Sequence, residues 1–253
     1  MQTRSYTKSS AGLTGIAGAV LFSAMLTPSY VSADVSANIG VVSNYYFRGV
    51  TQTDDATAVQ GGLDYTHESG FYAGTWASNV DFGSSDDGGD DVSYEIDLYL
   101  GYGGEIEGLA YDIGYLYYAY PDSEPGNIDF GEVYGELGFG LFSVGLAVTT
   151  NSEVSGDGVF NEGDIYYYGG VDLPLEDDFS LGLTVGFYDF ADDGEAAVGD
   201  ANYAHVAASL AKDAGDLGAF SFNLEFADID ENDALGDSNS DDAKVWLGWS
   251  KEF

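Results

Sequence analysis

The chain has 253 residues, with 44 acidic and 6 basic side chains, a formal charge of −38 and no cysteine. That balance repels nucleic acid, whose phosphates need Lys and Arg partners, and the missing thiols exclude disulfides and thiolate metal sites. The chain is 45% hydrophobic and 15% aromatic, so the acidity does not signal disorder; carboxylates that keep a protein solvated in salty surroundings explain most of it.

In chain order, Arg4 and Lys8 precede an uncharged run rich in small apolar residues, Gly12 to Leu26, then Pro28 and Val31-Ser32-Ala33. This layout predicts a cleaved secretory signal peptide over residues 1–33. The uncharged stretch is also long enough for a membrane anchor, but its small residues and Pro28 favour cleavage. A single domain, 34–253, is expected to follow. It keeps Arg48, Lys212, Lys244 and Lys251 against all 44 carboxylates.

The mature part is rich in Tyr, Phe and Gly and poor in Pro, which predicts many strands and turns. Period-two alternation recurs throughout. Tyr94, Ile96, Leu98, Leu100 and Tyr102 share one face, with Glu95, Asp97, Tyr99 and Gly101 on the other. Phe220, Phe222, Leu224 and Phe226 alternate with Ser221, Asn223, Glu225 and Ala227 in the same way. Twelve strands are predicted at 34–48, 57–67, 71–81, 92–103, 109–120, 131–139, 141–151, 164–173, 178–190, 201–212, 217–228 and 242–253. Most reach the roughly nine to eleven residues that a tilted membrane strand needs.

The connections alternate. Odd-numbered ones are long and acidic, such as Asp81 to Asp91, Asn151 to Asp164 and Asp228 to Asp241; even-numbered ones are short, such as His67 to Gly70 and the link at Gly140. Short turns on one side and long loops on the other are the plan of an antiparallel outer-membrane β-barrel. No apolar stretch after residue 33 suits a membrane helix, so membrane entry requires a closed barrel. The rival fold is a soluble β-sandwich, but the inward set of Gly, Asp, Glu, Asn and Ser is wrong for a sandwich core. The last strand ends on Phe253, with Val245, Leu247 and Trp249 in register behind it. That pattern resembles the signal read by the bacterial barrel assembly machinery, although Lys251 departs from it.

Residues 43–52, Ser-Asn-Tyr-Tyr-Phe-Arg-Gly-Val-Thr-Gln, resemble the opening motif of the TorF family of porin-type proteins. Gln60-Gly61-Gly62-Leu63-Asp64-Tyr65 and residues 70–80, Gly-Phe-Tyr-Ala-Gly-Thr-Trp-Ala-Ser-Asn-Val, extend the likeness. It covers the first third of the mature chain specifically and the rest mainly by pattern; the acidic loops match less well. The resemblance implies export to the outer membrane of a Gram-negative cell and a porin-type activity with a poorly established substrate.

Sending the apolar set of each strand to lipid turns Asp64, Glu95, Asp97, Asp112, Glu132, Glu136, Asp172 and Glu225 inward, with Arg48 and Lys244 as the inward cations. Such a lumen attracts cations. The expected activity is passive diffusion of small solutes with a cation preference, without catalysis or cofactor. Arg48, at the end of the first predicted strand, is expected to pair with a wall carboxylate such as Asp64; recognition of an anionic solute is the alternative. Tyr45, Tyr65, Trp76, Tyr117, Tyr167 and Trp249 are expected on the lipid side as interfacial anchors. Tyr46, Tyr118, Tyr168, Tyr188 and Trp246 point inward, which leaves a sugar-stacking path open.

His67 and His205 do not form a catalytic arrangement, because Ser209 lies too far along the strand from His205 for a hydrogen bond. The runs Asp86 to Asp91 and Asp228 to Asp242 offer hard oxygens that suit weakly held Ca²⁺ bridging to lipopolysaccharide phosphates. They match neither a helix–loop–helix calcium pattern nor a glycine-rich calcium repeat, so no metal site is assigned. The alternative to a pore is a closed structural or adhesive barrel whose external loops bind a partner.

Overall fold

Period-two sequences give strands whose apolar and polar sets point to opposite faces, and in this chain the two sets sort to the outside and inside of one closed sheet. The computed structural model describes residues 34–82, 92–123, 127–154, 158–194, 201–229, 235 and 242–253. The expected signal peptide, the run Asp86 to Asp91 and most of the run Asp228 to Asp242 lie outside the described residues.

The elements are β1 (Asp34–Val42), β2 (Tyr46–Phe47), β3 (Val50–Thr51), β4 (Ala58–Thr66), β5 (Phe71–Asn79), β6 (Tyr94–Ile106), β7 (Leu109–Ala119), β8 (Phe130–Phe139), β9 (Phe142–Ser152), β10 (Ile165–Pro174), β11 (Phe179–Asp189), β12 (Tyr203–Asp213), β13 (Ala219–Ala227) and β14 (Lys244–Glu252). All except β2 and β3 form a closed antiparallel barrel of twelve strands, each paired with its sequence neighbours. Closure comes from β1 against β14, with Val41 opposite Trp249. Closure satisfies every strand edge, and it replaces the sandwich alternative.

The outer face is apolar and uncovered: Val59, Leu63, Leu100, Val144, Val185, Leu224 and Leu247 are all exposed. The inner face buries Gln60, Glu95, Asp97, Glu132, His205, Asn223 and Glu225. Apolar outside and polar inside reverses the arrangement of a water-soluble domain and suits a hydrocarbon surround. Short turns join β4 to β5, β6 to β7, β8 to β9, β10 to β11 and β12 to β13, and the long connections lie at the other end.

Eleven of the predicted strands coincide with observed ones to within about three residues. The first does not. The sequence predicts it to run to residue 48, but β1 stops at Val42 and the chain turns into the barrel. Asn44 causes the departure: its side-chain oxygen accepts from the hydroxyls of Thr51 (2.6 Å) and Thr53 (3.1 Å), and its amide donates to Asp55 (2.6 Å). Local side-chain bonds of this kind compete with strand pairing.

Candidate functional site

The connection between β1 and β4, residues 43–57, folds inward as a hairpin of β2 and β3. Its base is fastened to the wall: the Ser43 amide donates to the Leu247 carbonyl (2.8 Å) and the Asp81 amide donates to the Gln52 carbonyl (2.8 Å). Its tip is Arg48-Gly49, with φ of 51° and 88°. Positive φ at both central residues is the geometry of a tight type I′ hairpin turn. A side chain at Gly49 would start 2.7 Å from the Cβ of His205, so the tip is pressed against β12.

Arg48 decides what the hairpin does. Its two terminal nitrogens donate to the two oxygens of Glu132, each at 2.7 Å. The pair is buried, at 7% exposure for Arg48 and 1% for Glu132. The guanidinium carbon lies 4.2 Å from the ring centre of Tyr166, 4.5 Å from Phe47 and 5.2 Å from Tyr188. Tyr118 donates its hydroxyl to Glu132 at 3.0 Å, and Tyr203 donates to the Arg48 carbonyl at 3.0 Å. The register of β8 against β9 shifts at Gly131/Glu132, an irregularity of the kind that re-aims a side chain.

These contacts correct two expectations. Arg48 does pair with a wall carboxylate, but from the hairpin rather than from the wall, and with Glu132 rather than Asp64; the hairpin carries it to β8, five strands round the barrel from β1 by way of β4. Asp64 instead accepts from the Tyr99 hydroxyl and from Asn38. Tyr45 and Trp76, expected on the lipid side, meet edge to face inside the barrel at 5.5 Å. Tyr45 left the wall with the hairpin, and β5 carries aromatic residues on both faces (Phe71, Tyr72, Trp76), which blurred its parity. Tyr65 and Tyr167 are exposed on the outer face. Tyr46 stacks on Trp246 at 6.4 Å.

The remaining inward carboxylates fall in two tiers. In the long-loop half, Glu95 accepts from Tyr45 (3.2 Å) and Tyr120 (3.1 Å); Asp97 and Glu225 are buried in the same half. In the short-turn half, Asp112 accepts from Tyr72 at 2.6 Å and Glu136 accepts from Tyr168. Asp112 and Glu136 are half-exposed and Asp172 is exposed. Lys244 lies 3.6 Å from Asp55, so Arg48 and Lys244 each face an acid. His205 shares a 2.9 Å hydrogen bond with Tyr166. Val245, Leu247 and Phe253 are exposed on the outer face, and Trp249 donates its indole N–H to the Leu217 carbonyl at 2.8 Å.

The aromatic seat of Arg48, above all Tyr166 and Tyr203, was not foreseen. The signal for it is Arg-Gly between Tyr-Phe and Val-Thr, a two-residue turn flanked by strand formers.

The fold is that of porins. The KdgM porin superposes with a TM-score of 0.52 at 8% identity, covering 86% of this chain and 98% of that one. The NanC porin gives a TM-score of 0.51 at 9% identity, covering 86% and 98%. At such identities the likeness speaks for the fold alone. No curated protein matches the sequence. A family profile described as "Bacterial protein of unknown function (Gcw_chp)" matches residues 28–253.

Proposed function

The chain belongs to the Gcw_chp family of bacterial proteins, and we propose that it is an outer-membrane pore through which small cations diffuse passively. One observation carries this reading. Arg48 and Lys244 are each engaged by an acid, while Asp64, Asp112, Glu136 and Asp172 on the short-turn half find hydroxyl or amide partners or face solvent. The net charge along that path is negative, and rings of carboxylates favour cations. The hairpin of residues 43–57 is the constriction, set in the long-loop half. The TorF-type resemblance of residues 43–80 supports the same location and class.

In this reading residues 1–33 direct export and are removed, and the long acidic loops face outward, where they meet lipopolysaccharide and weakly held divalent cations. Val245, Leu247, Trp249 and Phe253 present the last strand to the barrel assembly machinery. Transport is diffusion, with no chemical step.

The test is a planar-bilayer recording of the refolded mature chain in a salt gradient. Discrete conductance steps with a cation-selective reversal potential are expected. An anion-selective reversal would discard the charge argument. A second reading, a closed barrel whose loops bind a partner, is favoured by the seating of the hairpin against β8 and β12. Silence from a folded, inserted barrel would support it.

A further inference from the structure

The seat of Arg48 is made almost entirely by the wall. Glu132 stands on β8, and the flanking Tyr118, Tyr166 and Tyr188 stand on β7, β10 and β11. Only Phe47 comes from the hairpin. If the hairpin swings away, a carboxylate and three tyrosines held by rigid strands remain in place. The carboxylate presents both oxygens to one planar fork, and aromatic faces lie within cation–π distance of its centre. A planar, weakly hydrated guanidinium matches both features, whereas a compact ammonium matches neither as well.

We propose that this pocket is a binding subsite for guanidinium-bearing solutes, and that Arg48 is its resident ligand in the closed state. The inference deepens the pore reading and rests on it for the access of solutes to the lumen. A short flexible tether alone would give Arg48 an effective concentration at Glu132 on the order of millimolar, and the hairpin's own contacts, such as that of Tyr203 with the Arg48 carbonyl, raise it further. A free guanidinium compound therefore competes above the millimolar range, and in doing so it holds the hairpin away from the wall. The pocket then links occupancy by one class of cation to opening of the constriction.

The probe is ethylguanidinium, with ethylammonium as the control of equal charge. Arg48→Gly suits the test because glycine keeps the positive-φ turn. The folded mature variant is titrated in detergent by calorimetry. Ethylguanidinium is expected to bind at least about tenfold more tightly than ethylammonium, and Arg48→Gly/Glu132→Gln is expected to lose that preference. Equal binding of the two cations, no binding by the folded single variant, or an undiminished preference in the double variant overturns the proposal.

If Arg48→Gly does not fold, the native chain serves. Ethylguanidinium above the millimolar range is expected to speed hydrogen exchange of the backbone amides of residues 46–51 severalfold over ethylammonium; equal rates overturn the proposal. Neither readout involves ion flow. A silent bilayer with intact guanidinium binding therefore sinks the pore and keeps the pocket, and a conducting barrel without binding does the reverse.

Discussion

Glu132→Gln isolates the bond that seats the hairpin. In the native chain both Glu132 oxygens accept from Arg48 at 2.7 Å with almost no solvent contact. The variant leaves a guanidinium in the same buried position facing a neutral amide. Removing one partner of a buried ion pair costs about 3–5 kcal/mol, because the other charge stays desolvated. The aromatic contacts remain, but a cation–π contact adds only about 0.5–2 kcal/mol and is present in both forms, so it does not offset the loss.

The barrel ladder makes no use of β2 and β3, so the chain escapes the cost by releasing the hairpin and keeping the barrel. At 1.4 kcal/mol per factor of ten, the undocked population rises by roughly two to three and a half orders of magnitude. Arg48 reports on that population, since it is the only arginine after residue 33. Cleavage of a transiently open segment tracks the open population when closing is fast. An arginine-specific protease added to the folded barrel should therefore cut the variant about a hundredfold faster or more. A rate equal to that of the native chain, with the barrel verifiably folded, would refute the claim that Glu132 holds the hairpin.

Other consequences are open to direct measurement. Asp112→Asn with Glu136→Gln removes two half-exposed carboxylates from the short-turn half, and the reversal potential should move toward zero; an unchanged value places the selectivity elsewhere. Leu247→Arg puts a charge on an exposed outer position in the middle of β14. It should cost about 2–4 kcal/mol in vesicle refolding titrations if Leu247 lies near the bilayer midplane, whereas a barrel bathed in water would tolerate it. Asp164 lies just before β10 and accepts from the amides of Asn161 and Ala191 at 2.8 Å; burial nonetheless pushes its carboxyl up to about 6 from an ordinary 3.8. The protonated form then favours the folded loop, so its contribution is full below about pH 4 and is lost as pH rises through about 6. Asp164→Asn should flatten that component of the native-minus-variant melting difference between those pH values.

The barrel was legible because its constraint is local and repeated. In β11, Phe179, Leu181, Leu183, Val185 and Phe187 alternate with Ser180, Gly182, Thr184, Gly186 and Tyr188, and a one-residue slip would exchange lipid and lumen faces. The errors fall where that constraint fades. Tyr45-Tyr46-Phe47 continues the strand chemistry of β1, and only a network centred on Asn44 turns it inward. Trp76 suits an interfacial anchor by residue type, but it shares parity with Tyr72 and Ser78 on the inner face. The partner of Arg48 was beyond reach for a different reason. Arg48 and Glu132 are separated by 84 residues, and their meeting depends on barrel closure and on the bulge beside Glu132, which no periodicity encodes.

In the proposed pore, the position of that pair also separates the constriction from the charge filter. The hairpin brings Arg48, the only arginine after residue 33, to Glu132 and so cancels a carboxylate inside the barrel. The uncancelled acids of the short-turn half stand beside tyrosines instead: Asp64 with Tyr99, Asp112 with Tyr72, and Glu136 with Tyr168. A phenol donates one hydrogen bond and adds no positive charge, and a carboxylate that accepts it keeps lone pairs for a passing cation. In the proposed pore, docking of the hairpin sets whether the path is open, while these pairs set which ions enter it. A variant that frees the hairpin should change conductance with little effect on the sign of selectivity, and a variant that neutralises the short-turn carboxylates should do the opposite.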